Sequence, residues 1–240
     1  MSGHSKWSKV KQKKGAIDAK RSANFTKLSK AITIAARDGG GDPDMNFKLR
    51  MAIDRGRAGN LPKDKIEKAI LRGTGEGDTG QIEEAVYEAY GPGGVGMLIE
   101  CLTDNKNRTV AEVKHTVGKY NGSMAGPGSV MWMFDRKGVI RIDDASKVSD
   151  RDSFELTLID AGAEDIRDED DSIVVVTEVP DLQKVTEVLS SLEIKPDSAE
   201  LEYLPKEPVE VEDNVADSVL KLCEALDEND DVNNIYTNEA

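Results

Sequence analysis

The sequence predicts an α+β protein of three domains: an N-terminal three-helix domain and two ferredoxin-like α/β domains, one inserted in the other. Three observations predict it. Charge divides the chain: residues 1–75 hold 12 Lys and 6 Arg against 7 acids, a net of +11, while residues 76–240 hold 14 bases against 39 acids, a net of −25. Apolar spacing changes from a helical to a strand period across the glycine-rich stretch Gly73–Gly80. From Lys137 onward the order reads strand, helix, strand, strand, helix, strand, the ferredoxin-like order.

Residues 1–24 show neither period and read as a flexible basic arm carrying one aromatic, Trp7. Phe25, Leu28, Ile32 and Ala35 then make one apolar face of a helix over about 24–38, which Gly39-Gly40-Gly41 stops. Asp42 as N-cap and Pro43 at the first helical position open a second helix to about residue 58, with Leu49, Ala52, Ile53 and Gly56 inward. Asn60 caps a third, with Ile66, Ala69 and Ile70 inward.

Strand runs Ala85–Tyr90 and Val95–Thr103 flank Gly91-Pro92-Gly93-Gly94, a hairpin signal. A helix over about 107–120 presents Val110, Val113 and Val117, and the apolar run Val130–Phe134 reads as a buried strand. The inserted unit follows, with strands near 139–142, 163–168, 173–177 and 199–204 and helices near 150–161 and 181–192. A last helix, about 213–228, carries Val215, Val219, Leu222 and Leu226, and Asp231–Thr237 suits a final strand. The expected domains are 1–77; 78–135 with 207–240; and 136–206.

Several classes drop out. No apolar run approaches the ~20 residues of a membrane span, the basic N-terminus is not followed by a signal-like apolar stretch, and Ser2 does not suit myristoylation. Cys101 and Cys223 form no CxxC pair, and His4 and His115 are too few for a metal site, so no cofactor is expected. The composition suits the cytoplasm.

The basic arm is the strongest chemical signal. Lys6, Lys9, Lys11, Lys13, Lys14, Lys20, Arg21 and Lys27 surround Trp7, a pattern suited to phosphate binding by counterion release with an aromatic for an unpaired base. The bland alternative is a solvated tail. Lys48, Arg50, Arg55, Arg57, Lys63, Lys65, Lys68 and Arg72 extend the basic surface onto the helices, where such charges also serve as an ordinary wet face. Gly91–Gly96 lacks the Lys-Ser/Thr of a phosphate loop and reads as a turn. In Thr103–Thr109, Asn105 or Asn107 suits a helix cap, and Lys106 and Arg108 suit a phosphate at a helix N-terminus. Both cysteines read as buried apolar groups, and no nucleophile–base pair stands out. Gly122–Gly128 reads as a mobile loop of small residues that another macromolecule could approach closely, or as a plain turn.

Gly3-His-Ser-Lys-Trp7, Lys14-Gly-Ala-Ile-Asp-Ala-Lys-Arg21, Phe25-Thr-Lys-Leu28, Leu49-Arg-Met-Ala-Ile53, Asn60-Leu-Pro-Lys-Asp64, Tyr90-Gly-Pro-Gly-Gly-Val95, Leu102-Thr-Asp-Asn-Lys-Asn-Arg-Thr109 and Gly128-Ser-Val130 occur in this order. Together they resemble the YebC/PmpR family, whose mitochondrial relative is the translational activator of cytochrome c oxidase. Gln12 and Met124-Ala125 depart from its usual pattern. The resemblance implies a three-domain, non-enzymatic cytoplasmic protein. It also implies regulation of gene expression, either as a DNA-binding transcriptional regulator or at the ribosome, easing difficult peptide-bond formation. The residues favour RNA, because neither a recognition helix nor a dimerisation heptad is evident. Expected partners are therefore DNA or ribosomal RNA and the ribosome. No membrane or small-molecule substrate is expected, and the protein is expected to be a monomer or weak dimer. A protein-interaction scaffold with an incidental arm and a small α/β hydrolase are the alternatives.

Overall fold

The computed structural model describes Trp7 and residues 21–76, 82–148, 150–169 and 171–240, with backbone alone at 21–23. In chain order, three helices come first: α1 (Arg21–Gly39), α2 (Phe47–Ala58) and α3 (Lys63–Gly73). Next are β1 (Glu83–Tyr90), β2 (Gly96–Thr103), α4 (Lys106–Lys119), β3 (Ser123–Met124) and β4 (Phe134–Ile142). They are followed by α5 (Arg151–Ala161), β5 (Ala163–Glu169), β6 (Ser172–Thr177), α6 (Leu182–Ser191) and β7 (Ser198–Pro205). Helix α7 (Asp213–Asp227) and strand β8 (Val232–Thr237) end the chain. Two compact units emerge: residues to Phe134 together with Pro205–Ala240, and Asp135–Leu204.

In the first unit the three N-terminal helices close on Leu28, Ile32, Leu49, Ile53, Leu61 and Ile66. Their ends differ from the sequence reading. Asn46, not Asp42, caps α2: its Oδ1 accepts from Leu49 N at 3.1 Å. Its Nδ2 donates to Ala35 O and Gly40 O, both at 2.8 Å, so one buried amide also closes the end of α1. Asp42 instead accepts from Asp44 N inside the preceding turn. Asn60 does not open α3; at φ +58 it ends α2. Leu61 N donates to Gly56 O and Asn60 N to Arg57 O, the paired bonds of a left-handed helix stop.

The first sheet has the order β3-β1-β2-β8. Its helix-covered face supplies Ala89, Met97, Ile99, Cys101, Val232 and Ile235 to a core shared with Val113 and Val117 of α4 and Val219, Leu222 and Leu226 of α7. The hairpin glycines Gly93 and Gly94 adopt φ +70 and +79, which side-chain-bearing residues seldom do. The run Val130–Phe134 is not the strand expected from its apolarity. Met131–Met133 form a 3₁₀ turn and Phe134 starts β4, while the third strand is the two-residue Ser123–Met124. The turn forms because the buried Glu88 carboxylate accepts backbone N–H bonds from Gly128, Val130 and Met131 at 2.5–2.8 Å.

The second unit has the order β5-β6-β4-β7, with α5 and α6 between strands, which is the ferredoxin-like arrangement. Pairing of Val139 with Val176 and Arg141 with Val174 sets one face of the sheet. There Val139, Val174 and Val176 cluster beside Leu204. The Arg141 guanidinium lies on this face and pairs in bidentate fashion with Glu202 of β7.

Candidate nucleic-acid interface

The cations expected to meet a polyanion fall into three groups. Lys6, Lys9, Lys11, Lys13, Lys14 and Lys20 lie outside the described residues, as does the side chain of Arg21. The second group lies on α2 and α3. Ile66 and Ala69 face the core, which turns Lys63, Lys65 and Lys68 to solvent. Lys63 is 91% exposed, with Glu67 no nearer than 3.7 Å. Arg57 is 71% exposed and 3.3 Å from Asp54. Such exposed pairs are worth little and yield readily to a phosphate. Lys65 rests over the Phe25 ring at 5.3 Å, and Arg50 over Phe47 at 5.6 Å, so two aromatic faces hold cations at the surface. Arg55 is half-buried. Lys48 and Arg72, also expected from the sequence, are exposed on the same helices.

The third group corrects the sequence reading. Lys27 does not belong to the exposed set. Its ammonium donates to Asp227 O at 2.5 Å and to Asp227 Oδ1 at 3.0 Å, clamping α1 to the C-terminal end of α7. Nor is Trp7 a surface aromatic: it is 1% exposed within the α4–α7 core, where burial of a large ring outweighs exposure on the arm.

Sequence reasoning missed Lys30 and Asp231. Lys30 donates to Asp231 Oδ1 at 2.5 Å, while Oδ2 accepts from Arg108 and Thr109 at 2.7 Å and Thr103 at 3.1 Å. Burial pushes the Asp231 carboxyl up, but the Arg108, Lys30 and Thr109 bonds outweigh it and hold it well below the usual carboxylate range. This carboxylate joins the helical domain to the first sheet. Ile34 packing on Ile82 and Leu102 reinforces the joint. No local signal announces it, because Lys30 and Asp231 are 201 residues apart.

The other constellations resolve simply. Asn105 caps α4 by accepting from Arg108 N. Lys106 pairs with Glu83, and Arg108 with Asp104 and Asp231, so carboxylates already occupy those cations. Burial pushes the Cys101 thiol up to about 12 and Cys223 well above its ordinary value, the opposite of a reactive thiolate. Among the described residues, no three His, Cys, Asp or Glu side chains converge as a metal site, and no helix is long and apolar enough to cross a membrane.

Comparison with known proteins places this geometry in a family. The TACO1/YebC protein N-terminal domain matches residues 5–76, and the TACO1/YebC second and third domain matches residues 82–239. A probable transcriptional regulatory protein of Desulfosudis oleivorans is 49% identical over 99% of this chain and 96% of its own. One of Kosmotoga olearia is 50% identical over 99% of this chain and 94% of its own. The crystal structure of a conserved hypothetical protein from Aquifex aeolicus superposes with a TM-score of 0.84 at 37% identity, covering 93% of this chain and 91% of that one. With its helical domain and both sheets accounted for over nearly its whole length, the chain belongs to the TACO1/YebC family.

Proposed function

We propose that the protein is a non-enzymatic, nucleic-acid-binding regulator of gene expression. It uses the arm and the α2–α3 surface to hold a structured RNA, and it acts at the ribosome in the cytoplasm. One observation carries the reading. A module of net +11, whose Lys63, Lys65, Lys68 and Arg72 stand in solvent, is joined to a remainder of net −25. Exposed flexible cations bind phosphates by releasing counterions and read little base sequence. Folded RNA is recognised largely through shape and phosphates. The acidic remainder complements basic proteins that accompany ribosomal RNA.

Promoter DNA is the second reading, and the regulatory names of the relatives favour it. Ultraviolet crosslinking in growing cells, followed by sequencing of the attached nucleic acid, separates the two. Reads concentrated in ribosomal RNA support action in translation, and reads concentrated at promoters overturn it in favour of transcription. In vitro, Lys63→Gln/Lys65→Gln/Lys68→Gln is expected to weaken binding and to reduce the slope of log affinity against log salt by about 1 per lost phosphate contact. An unchanged slope excludes this surface. Charge variants suit the arm better than truncation, because truncation also removes Trp7 from the core.

A further inference from the structure

Trp132 is 64% exposed in a protein whose other tryptophan, Trp7, is 1% exposed. An aromatic of this size in water asks for a covering partner. Trp132 is also held in place. Its Nε1 donates to Ser129 O at 2.9 Å, and the Tyr90 hydroxyl donates to the same oxygen at 3.0 Å. Beneath it, Glu88 ties down the N–H groups of Gly128, Val130 and Met131. Burial alone would raise this carboxyl, yet the three bonds hold it below its ordinary value, so it stays charged near neutrality. The loop is therefore pinned, in contrast to the mobile segment its small residues suggest.

Two features narrow what Trp132 can receive. Its one donor is spent on its own loop, so the indole offers its π faces and no hydrogen bond. Space is also open beside the residue that holds the indole: a Cβ built on Gly128, next to Ser129 and at φ +82, meets nothing within 4 Å, and one on Gly126 meets only Ser129 Oγ at 3.7 Å. With 64% of its surface in solvent, the indole is open to a flat ring.

We propose that Trp132 is a stacking platform for one unpaired nucleobase, separate from the phosphate-binding surface of α2 and α3. This inference rests on the nucleic-acid reading above and deepens it, since a base inside a continuous duplex offers no free face. The target would then be a loop, bulge or single-stranded segment.

The test uses the full-length protein and three RNA probes: a uridine 12-mer, an adenosine 12-mer and a fully paired duplex. With two tryptophans in the chain, the difference between wild type and Trp132→Phe isolates the emission of Trp132. The expected result is quenching of that emission by the single strands and not by the duplex. Trp132→Leu is expected to weaken single-strand binding roughly 5- to 150-fold, while Trp132→Phe stays close to wild type. Single-strand binding with Trp132 emission and Trp132→Leu affinity both unchanged overturns the platform and leaves the broader function standing. Equal quenching by the duplex overturns the preference for an unpaired base. Failure of the wild-type protein to bind any nucleic acid overturns the broader function and the platform together.

Discussion

Two polar side chains hold the basic domain in shape and in place. Asn46 caps α2 and closes α1 with one buried amide. Asn46→Ala loses the cap, worth about 1–2 kcal/mol, and leaves two carbonyls short of a donor. The expected loss is roughly 2–4 kcal/mol in urea unfolding. Asn46→Asp keeps the acceptor for Leu49 N and should fall between. Asp231 works at the joint. Asp231→Asn strips the Lys30 and Arg108 pairs of their counter-charge and should cost about 3 kcal/mol at pH 7. The pH dependence follows from a depressed folded pKa. The contribution is fully present above the ordinary carboxylate value near 4 and is lost as pH falls from there toward the folded value. The stability gap between wild type and Asp231→Asn should therefore narrow between pH 4 and pH 2; a constant gap would contradict the assignment.

Elements were legible where their period was long. The faces of α1, α3 and α7 follow from apolar residues three and four apart, and the hairpin from its glycines. Errors arose where a short signal had two meanings. Asn60 suits a helix start as well as a left-handed stop, and Val130–Phe134 suits a strand as well as a turn tied down by a distant carboxylate. A two-residue strand such as β3 has no period at all. Close approach between elements was equally hidden. A Cβ on Gly73 would lie 2.3 Å from Thr33 O and 2.7 Å from the Ala36 Cβ, so α3 can meet α1 only through a glycine. Gly73→Ala should push the helices apart and cost about 1–3 kcal/mol despite alanine's better helix propensity. A stability at or above wild type in thermal unfolding would show that the contact relaxes freely.

Across the whole molecule, the candidate interface was legible as a charge count and illegible as geometry. Counting finds the lysines and the aromatic but not that Lys27 spends its charge on Asp227, nor that Trp7 is buried in the core. Trp7 links the start of the chain to a core whose other members come from α4, α7 and the first sheet. Trp7→Ala should cost about 3–5 kcal/mol and lower the unfolding midpoint of the first unit, whereas Trp7→Phe should recover much of the loss. Nucleic-acid affinity of the folded Trp7→Phe protein should stay near wild type, since the ring lies away from the surface.

Strand β8, the edge partner of β2, has consequences during synthesis. The inserted unit is complete at Leu204, but β2, paired with β1 on one edge, has no partner on the other until Val232–Thr237 has been made. At 5–20 residues per second, the 33 residues from Pro205 to Thr237 take about 2–7 s. Throughout that interval the nascent chain carries an open strand edge, the kind of surface that invites wrong pairing. The unit that buries Trp7 thus closes only after the unit inserted in it is complete.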